Sequence, residues 1–432
     1  MKSRFYVKFN KICVLGLGYI GLPTASTFAT SGLKVIGVDV NPSIVKGLQN
    51  GELHIYEPGL RTLVQAAIIS NKLEISEQPQ EADAFIIAVP TPFYGEKKAD
   101  LSYVISAAEA ILPHLRAGNL VVLESTSPPR TTIDILVPIL EKSGLKAGVD
   151  FYVAYSPERV LPGQILRELI ENARVIGGIN PESAQAGHDL YKIFVKGKII
   201  TTTATTAEMV KLMENTYRDV NIAIANEFSR LAERFGVDVW EAIQIANLHP
   251  RVNILKPGPG VGGHCISVDP WFFVEAAPDL TPLIHTARQV NDSQPHFVVN
   301  KLETILNGLE GKTITVFGLA YKPDVDDLRE SPAIEIVQLL SEKGAIVKAY
   351  EPFKPDYPLK HGSMVKTLEE ALLGTDALAL LVGHQQLRDL DPQDIQSKTE
   401  CRILLDTVNG WDCAAWSEAG FDTYQLGVSR CD

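Results

Sequence analysis

Short apolar runs, each bounded by glycine or by polar residues, recur through the first part of the chain and predict buried strands. Residues 11–15 form the first such run, and the sequence Gly-Leu-Gly-Tyr-Ile-Gly of residues 16–21 follows it directly. A helical pattern opened by Pro23 comes next, and a second apolar run ends at Asp39. This order of strand, glycine-rich turn, helix and strand predicts a βαβ unit.

The three glycines of this turn have separate predicted roles. Gly16 makes the tight turn, Gly18 lets a pyrophosphate approach the helix N-terminus, and Gly21 lets the helix pack closely on the strand. Asp39 can accept hydrogen bonds from the ribose hydroxyls of an adenosine. Because a carboxylate at this place disfavours a 2′-phosphate, we expect NAD rather than NADP as the cofactor.

Two further predicted strands end in loops that carry a threonine. Residues 84–89 precede Thr91, and residues 120–123 precede Thr126. Ligands of a doubly wound sheet bind at the carboxyl ends of its strands, so both threonines are candidate contacts to the cofactor. The alternative is that each hydroxyl only caps nearby backbone, which is common for threonine in turns.

Another predicted strand, residues 151–155, runs into a loop that carries Glu158 and Arg159. If this strand joins the same sheet, the acid and the arginine lie on the edge where ligands bind. The alternative interpretation is a solvated ion pair.

The longest helical pattern begins at residue 205 and continues to about residue 235 without proline or glycine. Lys211, Asn215 and Arg218 stand at i, i+4 and i+7 and therefore align on the helix. Such a face is ordinarily exposed to water, but in a helix that joins two domains it could line the cleft between them. The adjoining face is predicted to pack, and it contains Met209, Leu212, Met213, Thr216, Val220, Ala223 and Ile224.

Residues 257–265 read Pro-Gly-Pro-Gly-Val-Gly-Gly-His-Cys, a composition that suits a tight loop with exposed amides. Cys265 lies beside His264 and four residues before Asp269. A thiol among backbone N–H groups, with a base and a carboxylate nearby, has the groups that covalent catalysis needs. The alternative is a surface turn whose cysteine packs inward.

After residue 312 the strand-and-turn pattern begins again and predicts a second α/β domain. In its first turn, residues 320–322 read Ala-Tyr-Lys where the second and third glycines would stand, so we do not expect a second dinucleotide to bind in the same way. Lys322 and Arg329 offer cations suited to a phosphate-bearing ligand, and a charged loop with acidic neighbours is the alternative. The predicted elements are strands at residues 313–318, 345–350, 377–382 and 402–406 and a helix at residues 331–342.

The composition narrows the class of protein. A length of 432 residues suggests two or three domains at ~150 residues each, and we place them at residues 1–205, 206–308 and 309–432. A net charge of −12, without a long basic run, argues against a nucleic-acid or anionic-membrane partner. No leader-like segment and no apolar run of about eighteen residues occurs, which predicts a cytoplasmic protein.

The five cysteines are scattered and show no Cys-x-x-Cys spacing, so neither a disulfide framework nor a bound metal is expected. Packing is the expected role of Cys13, Cys401, Cys413 and Cys431. Only Cys265 has neighbours that suit chemistry.

Taken in order, the dinucleotide unit, the long polar-faced helix, the glycine-rich cysteine loop and the second α/β domain resemble the UDP-glucose/GDP-mannose dehydrogenase family. The resemblance covers essentially the whole chain, and its motifs stand at residues 157–164, 207–211, 249–255 and 258–272. It implies an α/β fold of two doubly wound, Rossmann-like domains, joined by a long central helix and a helical middle region.

The resemblance implies a metal-free oxidation of the C6 hydroxyl of a UDP-sugar to a carboxylate, with two NAD used per turnover. Cys265 would capture the intermediate aldehyde as a thiohemiacetal, and a second oxidation would convert this to a thioester. Lys211 and Asn215 would stabilise the oxyanion and order the attacking water, and a desolvated Lys211 could accept the alcohol proton. Asp269, together with Glu158, would assist hydrolysis of the thioester.

The resemblance also implies how the ligands are held. Besides the glycines and Asp39, the expected NAD contacts are Tyr19, Ile20, Thr91, Thr126 and Arg329. The expected contacts to the nucleotide sugar are Arg159, Val160, Lys211, Asn215, Arg218, His249, Arg251, Gly262 and Lys322. A homodimer is expected, in which Arg251 reaches the neighbouring site.

Within the family, residues 249–254 and 268–272 point to UDP-N-acetyl-D-mannosamine as the substrate, with UDP-N-acetylglucosamine and UDP-glucose as alternatives. Val268 stands where relatives that act on UDP-glucose commonly have lysine, which argues against UDP-glucose. Val408 stands where a basic residue usually follows the final Asp-Thr, so that anchor is missing. Two rival functions are a single-step hydroxyacid dehydrogenase, which would not need Cys265, and a non-catalytic NAD-responsive binding protein.

Overall fold

The computed structural model describes residues 8–95, 97–161, 163–263 and 265–428. These residues form two compact units. The first unit contains the described residues up to Glu214 together with Glu275–Ala277, and the second contains Asn215–Val274 and the described residues from Pro278 onwards. His264, considered above as a base, and Cys431, considered as a packing residue, lie outside the described residues.

The first unit is built on an eight-stranded, mostly parallel sheet. Its strands are β1 (Lys11–Leu15), β2 (Lys34–Val38), β3 (Leu73–Ser76), β4 (Ala84–Ile87), β7 (Leu120–Leu123), β8 (Tyr152–Tyr155), β9 (Arg174–Gly178) and β10 (Ile199–Thr203), and a separate hairpin is formed by β5 (Phe93–Tyr94) and β6 (Lys98–Ala99). The strands lie in the order β10-β9-β8-β7-β4-β1-β2-β3. Strand β9 runs antiparallel to β8, whereas the other neighbours in the sheet pair in parallel.

Helices cover both faces of this sheet and bury its side chains. In β1, Ile12 and Val14 join one core layer, and Cys13 and Leu15 join the other. Burial on both faces explains why the predicted strands read as continuous apolar runs. The α-helices of this unit are α1 (Gly21–Thr30), α2 (Pro42–Gln49), α3 (Leu60–Ile69), α4 (Ser102–Ile111), α5 (Val137–Leu140), α6 (Ile165–Glu171) and α7 (Pro181–Tyr191), with single turns at Leu112–His114 and Glu141–Ser143 and a π-helical turn at Thr132–Leu136.

A 32-residue helix, α8 (Ala204–Phe235), begins in the first unit and ends in the second. It confirms the predicted long helix to within one residue. The prediction of its packing face was wrong in part, because Met209, Met213 and Ile224 are exposed. Of the aligned polar residues, Lys211 and Asn215 are buried and Arg218 is exposed.

The buried face of α8 is largely polar, and several of its side chains have hydrogen-bond partners on other elements. Glu208 accepts hydrogen bonds from the backbone N–H and the hydroxyl of Thr132 at 2.8 and 2.6 Å. Asp219 pairs with Arg288, and Asn226 donates to Asn291 at 2.9 Å. Because buried polar groups are stable only when they are hydrogen-bonded, these partners explain a burial that hydrophobic patterning does not predict.

The second unit contains a six-stranded sheet in which all neighbouring strands are parallel. Its strands are β11 (Thr313–Phe317), β12 (Ile346–Tyr350), β13 (Ser363–Val365), β14 (Ala377–Leu380), β15 (Ile403–Asp406) and β16 (Asp422–Gln425), in the order β13-β12-β11-β14-β15-β16. The remaining helices are α9 (Val239–Ala246), α10 (Asp269–Ala276), α11 (Pro282–Asp292), α12 (Gln294–Leu306), α13 (Pro332–Glu342), α14 (Leu368–Leu372), α15 (Gln385–Arg388), α16 (Pro392–Lys398) and α17 (Cys413–Glu418). The two sheets confirm the predicted pair of doubly wound α/β domains.

Three global features bear on function. Cys413 is disulfide-bonded, so the prediction that it only packs was wrong. Among the described residues, no helix has both the length and the apolar character needed to cross a membrane. In the same part of the chain, no group of three or more His, Cys, Asp or Glu side chains could hold a metal ion.

Candidate active site

The glycine turn after β1 contains two glycines in close packing and one that faces open space. A Cβ added at Gly16, where φ is +93°, would lie 2.6 Å from the carbonyl oxygen of Ala88. One added at Gly21 would lie 1.8 Å from the carbonyl oxygen of Gly16, whereas one added at Gly18 meets no described atom within 4 Å. The space beside Gly18 is therefore open to a ligand.

The residues around this turn leave the start of α1 open to an anion. Ile20 is the N-cap of α1, its side chain makes no capping hydrogen bond, and the first turn contains no acidic residue. Tyr19 is partly buried against the core layer beneath. Asp39, at the end of β2, accepts from the backbone N–H groups of Leu17 and Asn41 at 3.0 and 2.9 Å. A positive helix end and a fixed carboxylate thus lie on the same edge of the sheet.

The loops after β4 and β7 are tied together on this edge. The hydroxyl of Thr91 donates to the carbonyl oxygen of Thr126 at 2.6 Å, and the hydroxyl of Ser125 donates to the carbonyl oxygen of Val89 at 2.7 Å. Thr91 therefore does cap backbone, as the alternative interpretation held, and it also fixes the position of Thr126.

A buried charge network lies beside these loops. Strand β9 runs antiparallel to β8, so its first residue, Arg174, is at the edge where β7 and β8 end. Arg174 donates from Nη1 to Glu158 at 2.9 Å, from Nη2 to Glu124 at 2.5 Å and from Nε to the hydroxyl of Ser156 at 2.8 Å. The hydroxyl of Tyr191 donates to the same oxygen of Glu124 at 2.5 Å. Glu158 is therefore half of a buried ion pair and not a solvated one.

Arg159 follows Glu158 and points to a different partner. Its Nη1 lies 2.6 Å from a carboxylate oxygen of Glu214 on α8, and its Nη2 donates to the carbonyl oxygen of Ala173. The next residue, Val160, is partly buried against the core. The far end of this loop is held by Glu57, which accepts from the backbone N–H groups of Gly163 and Ile165 at 2.8 Å each.

In the second unit, Cys265 begins a turn that leads into α10. Its carbonyl oxygen accepts from the backbone N–H groups of Val268 and Asp269 at 3.1 and 2.8 Å. The side chain of Asn215 donates to the buried Asp269 carboxylate at 2.5 Å. Helix α8 therefore contacts the acid that stands one turn after the cysteine.

Cys265 differs from the other free thiols among the described residues. Cys13 and Cys401 are buried, and burial raises the pKa of each thiol to about 11. Cys265 is only partly buried. Because the thiolate is the nucleophile, Cys13 and Cys401 are unreactive at neutral pH, and Cys265 remains the candidate.

The glycine-rich loop before Cys265 needs its glycines for packing. A Cβ at Gly262 would lie 2.6 Å from the carbonyl oxygen of Glu330, and one at Gly263, where φ is +82°, would lie 2.9 Å from the ring of Tyr321. The backbone N–H of Gly263 donates to the carbonyl oxygen of Arg329 at 3.2 Å. The cysteine loop thus lies against residues 321–332, which also carry Lys322. Gly262 and Gly263 are therefore required for close packing as well as for the tight turn predicted from the composition.

His249 and Arg251 stand in an exposed loop after α9. Asn247 closes the base of this loop, because its side chain accepts from the backbone N–H of Ile254 at 2.7 Å and donates to the carbonyl oxygen of Ile254 at 3.0 Å. Within the loop, the backbone N–H of Arg251 donates to Nδ1 of His249 at 3.3 Å. Both side chains are therefore presented on a closed, exposed loop.

The turn after the first strand of the second sheet resembles the glycine turn after β1. The acidic residue beside it, however, already has partners within the protein. Glu351, at the end of β12, accepts from the backbone N–H groups of Leu319 and Ala320 at 2.6 and 3.0 Å, much as Asp39 accepts from Leu17. Its carboxylate also lies 3.1 Å from Nε2 of His384, and both side chains are fully buried. Burial would raise the pKa of Glu351, but the His384 contact and the backbone donors hold it below its usual range. The Glu351 carboxylate is therefore bound by partners within the protein.

The candidate residues divide between the two units. Those in the first unit are Gly16, Gly18, Tyr19, Ile20, Gly21, Asp39, Thr91, Thr126, Glu158, Arg159, Val160 and Lys211, and those in the second are Asn215, Arg218, His249, Arg251, Gly262, Cys265, Asp269, Lys322 and Arg329. Lys211 and Asn215 stand one turn apart on α8, on either side of the division.

Comparison with known proteins shows the family of the chain. Models of three domains match the chain in order: the NAD binding domain of the UDP-glucose/GDP-mannose dehydrogenase family at residues 10–195, its central domain at residues 205–293 and its UDP binding domain at residues 315–413. The chain belongs to the UDP-glucose/GDP-mannose dehydrogenase family. It is an NAD-dependent nucleotide-sugar dehydrogenase, as its resemblance to the family implied.

Relatives match over nearly the whole length. The UDP-N-acetyl-D-mannosamine dehydrogenase of Methanococcus maripaludis is 51% identical, over 97% of both chains. The NDP-N-acetyl-D-galactosaminuronic acid dehydrogenase of Ralstonia nicotianae is 49% identical, over 94% of this chain and 97% of its own. The solved structure of the UDP-D-ManNAc dehydrogenase of Pyrococcus horikoshii is 40% identical, with a TM-score of 0.90 over 97% of this chain and 99% of its own.

The glycine turn fits the NAD that the family uses. The open space beside Gly18 and the uncapped start of α1 suit a pyrophosphate, and the Asp39 carboxylate suits ribose hydroxyls.

The different surroundings of the three glycines lead to a testable prediction. Gly18→Ala is expected to leave the unfolding temperature unchanged and to raise the dissociation constant of NAD at least about tenfold, because the added methyl occupies space needed only by the ligand. Gly21→Ala is expected to lower the free energy of unfolding by about 1–3 kcal/mol, because its methyl meets backbone. Thermal melts with and without NAD distinguish the two effects, and equal destabilisation by both changes would contradict the assignment.

Several residues of the candidate site are absent from the sequence prediction. Arg174 reaches both Glu158 and Glu124 only because β9 reverses direction, and no local sequence pattern predicts that reversal. Glu57 anchors a loop more than a hundred residues away, as its partners Gly163 and Ile165 show. The sequence signals this contact only weakly, through an acidic residue that is followed by proline and glycine.

Proposed function

We propose that the chain oxidises the C6 hydroxyl of UDP-N-acetyl-D-mannosamine to the carboxylate of UDP-N-acetyl-D-mannosaminuronate in two NAD-dependent steps. The observation that carries the choice of sugar is the similarity, 51% over 97% of both chains, to an enzyme named for that substrate. The mechanism is supported by the Cys265 turn, with its neighbouring Asp269 and Asn215.

In the first step, the C6 hydroxyl loses its proton and the carbon loses a hydride. Lys211 is buried on α8, and we assign it to accept the hydroxyl proton. Bound NAD would accept one hydride in each of the two oxidations. Asn215, one turn further along α8, already donates one N–H to Asp269, and its second N–H remains to stabilise the developing oxyanion.

The second step takes place on Cys265. Its sulfur adds to C6 of the aldehyde, and the aldehyde oxygen takes up a proton to give the thiohemiacetal. Loss of a hydride from C6 and of the hydroxyl proton then gives the thioester. Water attacks the thioester carbonyl and the thiol leaves, which yields the carboxylate and frees Cys265. Asp269 and Glu158 assist by taking the proton of that water.

The two ligands are assigned to separate parts of the chain. Residues 1–205 hold NAD and contribute Glu158, residues 206–308 carry the other reacting side chains, and residues 309–432 hold the UDP group. Thr126 and Arg329 add contacts to NAD. The nucleotide sugar is assigned to Arg159, Val160, Arg218, His249, Arg251, Gly262 and Lys322.

We further propose a homodimer formed along α8. The solvent side of this helix exposes Tyr217, Phe228, Leu231 and Phe235, with exposed fractions from 40% to 72%. An apolar stripe of this length on one helix is unusual for a monomer, and a second copy can cover it symmetrically. Sedimentation at micromolar concentration tests the proposal, and a monomer there would contradict it.

A second candidate substrate is a UDP-linked epimer of the same acetamido sugar. The Ralstonia nicotianae relative, 49% identical, is named for an N-acetylgalactosaminuronic acid. The name shares the 2-acetamido group with the proposed substrate and differs in ring stereochemistry, so the acetamido class is supported more strongly than the epimer.

The experiment for this proposal is identification of the product. The purified chain is incubated with NAD and UDP-N-acetyl-D-mannosamine, and the nucleotide-sugar product is analysed by mass spectrometry. We expect the C6 carboxylate to accumulate and the aldehyde to be absent. Accumulation of free aldehyde, or no reaction, would overturn the proposal.

A further inference from the structure

The residues behind Glu158 form a network that the reaction scheme above does not use. Arg174 contacts Glu158 through Nη1 and Glu124 through Nη2, at 2.9 and 2.5 Å. The guanidinium also stacks on the ring of Tyr191, 3.9 Å from its centroid. The side chains of Glu124 and Arg174 are 0% and 5% exposed, so water screens their charges very little.

Only one of the two carboxylate oxygens of Glu124 accepts hydrogen bonds in this network. Its Oε1 accepts from Arg174 and from the hydroxyl of Tyr191, both at 2.5 Å. Its Oε2 is buried and accepts no hydrogen bond from the described residues. A buried carboxylate oxygen without a donor disfavours the ionised form, so this position suits a carboxyl group that gains and loses a proton.

We infer that Arg174 and Glu124 are positioning residues for Glu158, in which Arg174 fixes the direction and charge of the Glu158 carboxylate and Glu124 controls how strongly Arg174 does so. This inference rests on the proposed role of Glu158 in thioester hydrolysis. The backbone N–H of Arg159 also donates to Glu158, at 2.7 Å, so the same network fixes the start of the loop assigned to the sugar nucleotide.

The ionisation of Glu124 falls near neutral pH. Burial is the main cause that raises the pKa of Glu124, and the net value is about 7. Arg174 and Tyr191 lower this pKa, and Glu158 raises it. Burial alone would lower the pKa of Arg174, but Glu158, Tyr191 and Glu124 hold it above its usual value, so this side chain stays charged. The pKa of Tyr191 is raised by burial and then by Glu124, so the phenol stays neutral.

These charges determine the sign of the pH effect. Below about pH 7 Glu124 is neutral, and the positive charge of Arg174 stabilises the Glu158 anion alone. Above it, Glu124 is also an anion and competes for Arg174, so Arg174 attracts the Glu158 carboxylate less strongly and leaves it more available to the attacking water. Hydrolysis of the thioester should therefore accelerate as the pH rises through about 7.

Glu124→Gln tests this directly, because the amide keeps an acceptor for Arg174 and cannot ionise. We expect the ratio of the wild-type to the variant rate of acid formation to be near one at pH 6 and to rise to about tenfold at pH 8.5. Other titrating groups are common to both proteins and cancel in this ratio. A ratio that does not change with pH would overturn the inference, even if the variant were slower throughout.

Arg174→Lys supplies a second measurement. Lysine keeps the charge but cannot hold both carboxylates in a planar fork, so kcat should fall about tenfold while KM for the sugar nucleotide changes less than about threefold. Matched controls are Arg116→Lys and Glu81→Gln, which alter an exposed pair that precedes the amino ends of β7 and β4. Both controls should retain wild-type rates at each pH. If Arg174→Lys does not fold, the pH ratio of Glu124→Gln still decides.

Failure of this inference can be distinguished from failure of the proposed function. If a thioester on Cys265 is trapped during wild-type turnover, but the Glu124→Gln ratio is flat, only the positioning role is wrong. If no thioester forms and Cys265→Ala still produces acid, the proposed mechanism is wrong whatever the pH ratio shows.

Discussion

Cys265→Ala is expected to lower the rate of acid formation by at least about 10³-fold, because the variant has no sulfur to hold the aldehyde for its second oxidation. The buried thiols of Cys13 and Cys401 cannot replace it, since burial raises the pKa of each to about 11. The glycine turn that we assign to NAD lies in the first unit and Cys265 in the second, so the dissociation constant of NAD should stay within about twofold of wild type.

The matched control is Cys401→Ala, which removes a buried thiol of the same unit. This variant should lose stability, by about 1 kcal/mol, but keep the rate of acid formation per folded molecule. Product analysis by mass spectrometry and NAD titration of both variants make the comparison. Near wild-type acid formation by Cys265→Ala would rule out the covalent mechanism.

The second large effect concerns the sugar. We expect kcat/KM for UDP-N-acetyl-D-mannosamine to exceed that for UDP-glucose by roughly 10²–10⁴. A site that binds a 2-acetamido group must pair its amide, and those partners are left buried and unsatisfied when a plain hydroxyl binds. Val268, directly before Asp269, is buried and apolar and offers no charge to a hydroxyl-bearing sugar.

The assay is NADH release with UDP-N-acetyl-D-mannosamine, UDP-N-acetylglucosamine and UDP-glucose in parallel. Preference for the N-acetylglucosamine epimer would change the identity of the sugar and leave the mechanism intact. Preference for UDP-glucose would refute the substrate assignment, because the acetamido class would then be wrong.

Much of the fold could be predicted from sequence, since parallel strands buried on both faces are continuous apolar runs. The runs at residues 11–15 and 120–123 coincide with β1 and β7. The helix pattern from residue 205 ended at the right place because glycine follows Phe235 directly. Local composition decides such features, and distant residues have little influence on them.

The features that could not be predicted depend on partners far away in the sequence. Glu208 and Asp219 are acidic residues within the predicted helix, and their hydrogen bonds to Thr132 and Arg288 allow both to be buried. The glycines before Cys265 looked like amide-exposing residues, whereas Gly263 is required by the ring of Tyr321. In each case the deciding contact is tertiary, and a single sequence contains no periodic signal for it.

The same difference between local and tertiary contacts decides which site residues can be predicted from the sequence. Gly18 and Cys265 stand within short motifs whose chemistry is local, so the sequence alone singled them out. Arg174 became visible only through the antiparallel pairing of β9 with β8, which turns the first residue of a strand toward the edge where other strands end. A buried arginine between two acids is recognised from the fold and not from its neighbours in sequence.

The ratio of NADH released to acid formed is the most direct test of the proposed four-electron oxidation through Cys265. Limiting UDP-N-acetyl-D-mannosamine is converted to completion with excess NAD, and both products are quantified in the same sample. Oxidation through Cys265 predicts two NADH for each carboxylate, with no free aldehyde. One NADH per sugar, with the product remaining at the aldehyde or ketone level, would contradict it and favour a single-step hydroxyacid-type dehydrogenase, and no NADH would favour a binding protein.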